Sequence, residues 1–302
     1  MESGQTILRP LRRADLPACL RLKDLAGWNQ VEEDWALFLD LSPGGSFGLE
    51  KDGALIATST AIAYGRAFGW VGMMLVHPDE RRKGHGRTLL AAAVSSLEER
   101  GVVAGLDATA LGKPLYESFG FRDVCAVERW TGTAPEARPG AGAGRSPRAG
   151  CEPIGPSGLE EALPLDRDVF GADRSGVLLG LLARPDSRGL VLPAGEDRDP
   201  AAGYILVRRG SRYFHLGPWV ARSPEAAARL LDGALAAAPG VPVCVDILAP
   251  NEAARSIARR SGLAVARTLW RMVRGTGGAA AAGAPPGGDP ARVYGLAGLE
   301  WG

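Results

Sequence analysis

Residues 70–98 read WVGMMLVHPDERRKGHGRTLLAAAVSSLE, and the fold is decided here. Trp70 to Val76 is apolar without alternation, as expected of a strand covered on both faces. His77-Pro78-Asp79-Glu80 ends that run, and Arg81-Arg82-Lys83-Gly84-His85-Gly86 follows. From Arg87 to Arg100, residues Leu89, Leu90, Ala93, Val94 and Leu97 fall on one helical stripe, and Gly101 stands where the helix ends. A strand, a glycine-punctuated basic turn and a helix start together make an anion site. The first helical turn offers N–H groups without partners and the positive end of the macrodipole. Glycines at 84 and 86 let the backbone approach a phosphate without a Cβ in the way, and Arg82, Lys83 and Arg87 add full charge. The ligand implied is a phosphate or pyrophosphate held mainly by main-chain amides.

The letters alone carry little. In a chain this rich in arginine and glycine, about 0.6 chance copies of Arg-x-x-Gly-x-Gly are expected. Relaxing the last position to alanine gives further matches starting at Arg129, Arg259, Arg274 and Arg292, none followed by an amphipathic helix. Only the copy at Arg81 lies between an apolar strand and such a helix.

Working outward, residues 1–132 alternate strand and helix patterns, which predicts an α/β fold with a mixed sheet. Ile7 to Leu11 reads as a short strand, and Asp15 is placed to cap the helix after it. Lys51-Asp52-Gly53 separates two strand patterns, and Asp-Gly is a hairpin signal. Val102 to Ala108 is a further strand, followed by a short helix over Pro114–Phe119 and a strand over Phe121–Trp130. A linker is expected over 133–150, where the chain runs through APEARPGAGAGRSPRAG without an apolar period. A similar stretch, GTGGAAAAGAPPGGDP at 275–290, precedes Val293–Leu299, which is apolar enough to be a last strand. Two domains follow from this, 1–132 and 151–302.

With these elements in place, the first domain resembles the GNAT superfamily of acetyl-CoA-dependent acyltransferases. The resemblance rests on Met74-Leu75-Val76-His77-Pro78 with Arg81-x-x-Gly84-x-Gly86-Arg87. It rests also on the later segment Leu115-Tyr116-Glu117-Ser118-Phe119-Gly120-Phe121, in the family's order and spacing. It implies that acetyl-CoA is the co-substrate, with amides from Arg82, Lys83, Gly84, His85, Gly86 and Arg87 around its pyrophosphate. It also implies that the edge of Met74, Leu75 and Val76 pairs with the pantetheine arm as an added strand would. Tyr116 would then protonate the leaving thiolate while an amine attacks the acetyl carbonyl directly. Two places depart from the common pattern: Thr109 stands where many relatives have Asn, and Ala104 where many have Glu as base. The base is therefore open among Asp107, His77, Glu50 and a chain of waters. Trp28, Trp35 and Phe38 lie where relatives wall the acceptor site, or simply form core.

The second half repeats the plan. Strand patterns at Tyr204–Val207, Tyr213–Ala221, Val243–Leu248 and Leu269–Val273 flank helices opening at Ser223-Pro224 and Asn251-Glu252. Where the first half has its glycine turn, the second has Arg222-Ser223-Pro224-Glu225-Ala226. Proline removes an amide, and Glu225 puts negative charge where a phosphate would sit. Ile257 or Ala258 fills the tyrosine place. The expectation is a degenerate GNAT-like domain that binds no coenzyme, as in tandem members of the family with one live copy.

Composition bounds the rest. The chain has 42 glycines and 22 prolines in 302 residues, a net charge of +1, and no strongly charged half. That excludes the charge field that non-specific nucleic-acid or membrane binding needs. Cys19, Cys125, Cys151 and Cys244 show no Cys-x-x-Cys spacing, and His77, His85 and His215 do not cluster with them, so no metal is expected. The first residues show neither a basic n-region nor an apolar h-region, and no run of about 18 apolar residues occurs, so a cytoplasmic monomer or homodimer is expected. The reading is an N-acetyltransferase acting on a small-molecule or peptide amine: amino acids, aminoglycosides and peptide N-termini all fit. Alternatives are a coenzyme A-binding sensor without turnover and a transferase of longer acyl groups.

Overall fold

The computed structural model describes residues 5–136, 150–193, 201–275 and 288–302. Most of the expected linker 133–150 and of the 275–290 stretch lies outside the described residues.

The first half opens with β1 (Thr6–Pro10), α1 (Leu16–Leu25) and α2 (Glu32–Leu41), then β2 (Ser46–Lys51), β3 (Ala54–Tyr64) and β4 (Phe68–Val76). The β2–β3 hairpin turns on Asp52 and Gly53 with φ of 52° and 79°, the left-handed pair that the Asp-Gly sequence suits. Asp15 does not cap α1 as expected. Its carboxylate turns back to accept from the Arg12 N–H at 2.8 Å and from Arg9. Next come α3 (His85–Glu98), β5 (Val103–Ala108), α4 (Lys113–Ser118) and β6 (Arg122–Thr133), so Thr133 is strand rather than linker. Helix α3 buries the predicted stripe of Leu89, Leu90, Ala93, Val94 and Leu97 against β3 and β4, and the chain leaves it through Gly101 at φ 70°.

The second half contains β7 (Glu152–Ile154), α5 (Leu163–Phe170), α6 (Ser175–Leu182), β8 (Arg188–Leu192), β9 (Gly203–Arg209) and β10 (Phe214–Ala221). It ends with α7 (Pro224–Ala236), β11 (Pro242–Leu248), α8 (Glu252–Arg260), β12 (Ala264–Arg274) and β13 (Val293–Gly295). Ser223 caps α7 by accepting the Ala226 N–H, and Asn251 caps α8 through Ala254. The expected last strand over 293–299 is paired only over Val293–Gly295.

All the strands belong to one mixed sheet flanked by helices, in the order β1-β2-β3-β4-β5-β12-β6-β11-β10-β9-β8-β7, with β13 on β10. The order shows an exchange. Strand β12, from the second half, lies beside β5, and β6, from the first half, lies beside β11. The two exchanged strands pair antiparallel with each other, from Ala264↔Thr131 to Val273↔Arg122. An apolar core is likewise shared: Trp35, Phe38, Tyr64 and Phe68 of the first half pack in one cluster with Leu165, Phe170, Leu178 and Leu181 of the second.

Two places interrupt the sheet in the same way. In the first half, β4 and β5 are parallel neighbours only at Phe68↔Val103, Gly69↔Ala104 and Trp70↔Gly105, and then part. The cause lies in β4, where Met73 and Met74 together oppose the single residue Ser59, a bulge with Met73 at φ 50°. Thr58 Oγ1 donates to the Met73 carbonyl at 2.9 Å and holds the bulge. In the second half, β10 and β11 pair only at Phe214↔Val243 and His215↔Cys244, below a bulge at Gly217 and Pro218. There the gap is filled. Strand β13 adds to β10 at Trp219↔Gly295 and Val220↔Val293, and the Leu296 N–H reaches across to the Asp246 carbonyl at 2.8 Å.

The segment after β13 then crosses to the first half. The Leu299 carbonyl accepts from Trp70 Nε1 at 2.9 Å, and the Trp301 carbonyl accepts from the Tyr64 hydroxyl. The Trp301 ring stacks on Phe38 with centroids 3.8 Å apart and planes within 6°. Trp301→Ala should lower the unfolding free energy by about 3–5 kcal/mol in denaturant titrations, through lost burial and the cavity left behind. A loss under about 1 kcal/mol would mean that this segment does not pack as described.

Candidate active site

The Arg81–Gly86 turn leads from β4 into α3. Gly84 caps the helix at φ 89°, and Arg82 also lies in the left-handed region, at φ 63°. This path turns successive N–H groups the same way. From Arg82 through Gly86 none of the five amides donates to any described residue, whereas the Arg87 N–H already donates to the Gly84 carbonyl at 3.0 Å. The turn's charges are partly committed as well. Glu80 accepts from Lys51 at 2.9 Å, and Lys83 and His85 approach it at 3.1 and 3.3 Å. Together, Lys51 first, they lower its carboxyl pKa to about 2. Arg87 donates to Ser118 Oγ at 3.2 Å and lies over the Phe119 ring. The open amides, more than the side chains, are what the turn offers an anion.

Beyond Trp70 the parted strands enclose a cleft. Val71, Met73 and Met74 line it from β4, and Leu106 and Asp107 from β5, with Thr109 and Tyr116 beyond. The exchanged strands form its floor through Arg129 of β6 and Arg267 and Leu269 of β12. Trp28, Gln30, Leu299 and Glu300 complete the wall. Of the aromatic residues considered from sequence, only Trp28 lines the cleft; Trp35 and Phe38 are core. Met74 and Tyr116 meet there, while Leu75 is buried among core side chains and Val76 contacts the apolar group under α3. Tyr116 sits on α4, and burial raises its phenol to about 12, so it stays protonated at neutral pH.

The candidate bases are placed unequally. Glu50 accepts from Arg9 at 2.8 Å on the β1–β2 face, and His77 Nδ1 accepts from the Asp79 N–H; neither lines the cleft. Asp107 does, but both its oxygens are held by Arg271, at 3.0 and 2.9 Å. Arg271 also lies over the Trp70 ring. Sequence reasoning missed Glu300. Its backbone lies against Gly72, where an added Cβ would meet the Glu300 Cα at 3.1 Å. Its carboxylate accepts from Gln30 Nε2 at 2.9 Å and lies 3.8 Å from Arg208. Burial, then the nearby Asp34 carboxylate, raise it to about 7 against the pull of Arg208. A single acid inside Leu296-Ala297-Gly298-Leu299-Glu300-Trp301 was the only local sign.

Comparisons with known proteins bear on the family and the fold. Residues 13–121 match the Acetyltransferase (GNAT) family, and residues 162–282 match an Acetyltransferase (GNAT) domain. No curated protein matches the chain in sequence. Among solved structures, a putative acetyltransferase from Pyrococcus horikoshii is similar with a TM-score of 0.81 at 20% identity, over 100% of this chain and 97% of that one. A GCN5-related N-acetyltransferase from Sphaerobacter thermophilus gives 0.61 at 18%, over 89% and 95%. A tandem GNAT protein from the clavulanic acid biosynthesis pathway gives 0.60 at 16%, over 89% and 98%. With a GNAT match in each half and a fold shared with a tandem GNAT protein along its length, this chain belongs to the GNAT superfamily, with tandem domains.

Proposed function

We propose that the protein is an N-acetyltransferase that uses acetyl-CoA in the cleft between β4 and β5 and moves the acetyl group to the amine of a small molecule. The observation that carries this is the combination of five unpaired amides at Arg82–Gly86 with two strands that part directly below them. The amides suit a pyrophosphate, and the edge of β4 from Val71 onward suits an extended arm bearing amide groups. Bound acetyl-CoA supplies the activated acetyl group and a sulfur leaving group. Tyr116, protonated and in the cleft, gives its proton to that sulfur as the carbon–sulfur bond breaks. Holding amine and thioester in one narrow cleft supplies much of the remaining acceleration.

The second half binds no coenzyme in this reading. The place matching the pantetheine slot holds β13, and the start of α7 is occupied by Ser223 and Pro224, with Glu225 in its first turn. The strand that would otherwise be open to ligand already has a partner.

Gly86→Glu should abolish acetyl-CoA binding in calorimetry, since a Cβ there already meets Leu115 at 3.3 Å and the carboxylate repels phosphate. Unchanged affinity would remove the site. Wild-type protein should titrate with one coenzyme per chain; two would overturn the assignment of the second half. Tyr116→Phe should lower kcat by about 10²-fold or more with coenzyme affinity unchanged, and a wild-type kcat would reassign the acid.

A further inference from the structure

Two carboxylates and two guanidiniums line the cleft: Asp107 and Glu300, Arg129 and Arg267. One of each sign is committed elsewhere. Asp107 is held by both arms of Arg271, and Arg129 holds both oxygens of the buried Asp246 at 2.7 and 2.6 Å. Glu300 and Arg267 are left, and they do not pair with each other. Glu300 keeps one hydrogen bond from Gln30 and the long contact to Arg208. Arg267 makes no hydrogen bond or ion pair with any described residue, and its buried Nε has no acceptor. It stands where the β12–β6 register shifts, between Val265 and Arg267. Arg267 is half-buried, and a guanidinium partly withdrawn from water with its Nε unpaired is costly, so its place in the cleft points to a ligand charge.

We propose that the acceptor is a small amine that also carries a carboxylate, as an amino acid does, with its ammonium docked on Glu300 and its carboxylate on Arg267. This rests on the acetyltransferase reading above and deepens it. Val71, Leu106, Leu269 and Leu299 supply apolar wall beside the two charges, and Thr109 and Tyr116 add hydroxyls. Glu300 takes one proton from the ammonium, which frees the nitrogen lone pair to attack the acetyl carbon. A carbon–nitrogen bond forms and the carbon–sulfur bond breaks. The nitrogen loses a second proton as the amide forms, and that proton, passed through solvent, restores the phenol of Tyr116 that protonated the sulfur. Glu300 passes its own proton to solvent.

The groups facing Glu300 set its pH range. Burial first, and then Asp34 of α2, push its pKa up, while Arg208 of β9, the Glu300 backbone N–H and Arg129 of β6 pull it down. His215 of β10 is uncharged at neutral pH, since burial and Arg208 lower it to about 3. Arg267 lies on β12 and Gln30 before α2. The carboxylate form is the competent base, so kcat should rise with pH through about 7.

The test uses the full-length chain, acetyl-CoA, and a panel of amino acids beside their amides, methyl esters and the matching alkylamines. Amino acids should exceed their amides by about 10²-fold or more in kcat/KM. Arg267→Gln should shrink that preference below about tenfold by raising KM for the amino acid far more than for the amide. Glu300→Gln should lower kcat by about 10²–10⁴-fold and remove the limb rising through about 7. Coenzyme affinity by calorimetry reports whether each variant is folded, and the wild-type panel decides the acceptor class even if a variant is not. Turnover indifferent to the carboxylate, or a Glu300→Gln enzyme with the wild-type profile, overturns this proposal alone. Bound acetyl-CoA with no turnover of any amine overturns the acetyltransferase reading, and this proposal falls with it.

Discussion

Where two neighbouring strands part inside a sheet, the backbone N–H and C=O groups facing the gap lose their partners and need others. Both halves of this chain contain such a parting, each produced by a bulge in the strand before it. They resolve it differently. In the second half β13 lies in the gap and restores the pairing from within the chain. In the first half the gap stays open as a cleft, and the turn above it keeps five amides without acceptors. The contrast between a satisfied gap and an open one distinguishes the two halves more directly than any residue type does.

The exchange of β6 and β12 follows through to the chemistry. Because β12 lies beside β5, Arg267 and Leu269 of the second half line a cleft whose other wall, Val71 to Met74, belongs to the first. Arg271 arrives on the same strand and neutralises Asp107, which removes one acid from the list of free groups. Removing one partner of such a buried pair costs about 3–5 kcal/mol, so the pairs fix which charges remain available. The segment after β13 adds Glu300 from yet another direction.

The turn at Gly84 was legible in the sequence because everything that defines it is local. Gly84 takes the left-handed backbone, and the stripe from Leu89 to Leu97 fixes the helix after it. The short helix that carries Tyr116 was legible for the same reason. The exchange of strands was not, because the apolar pattern of Val124–Trp130 suits a neighbour from either half equally well. Glu300 was not either. An acid beside Leu299 and Trp301 reads as an exposed residue near a chain end until Gly72 and Gln30, far away in sequence, are seen against it. Arg267 reads as one arginine among many, and only its missing partner distinguishes it.

The strand exchange has a consequence for how such a chain could have arisen. Half of it, folded alone with its own last strand, would have one sheet edge where its neighbour now supplies a strand. Exposed edges of this kind recruit a second chain. Two identical halves trading their last strands would form a closed, symmetric pair, the arrangement known as a domain-swapped dimer. Joining the two copies by a linker would preserve that pairing and free each copy to change independently, which is how one gap could acquire a permanent strand while the other kept its opening.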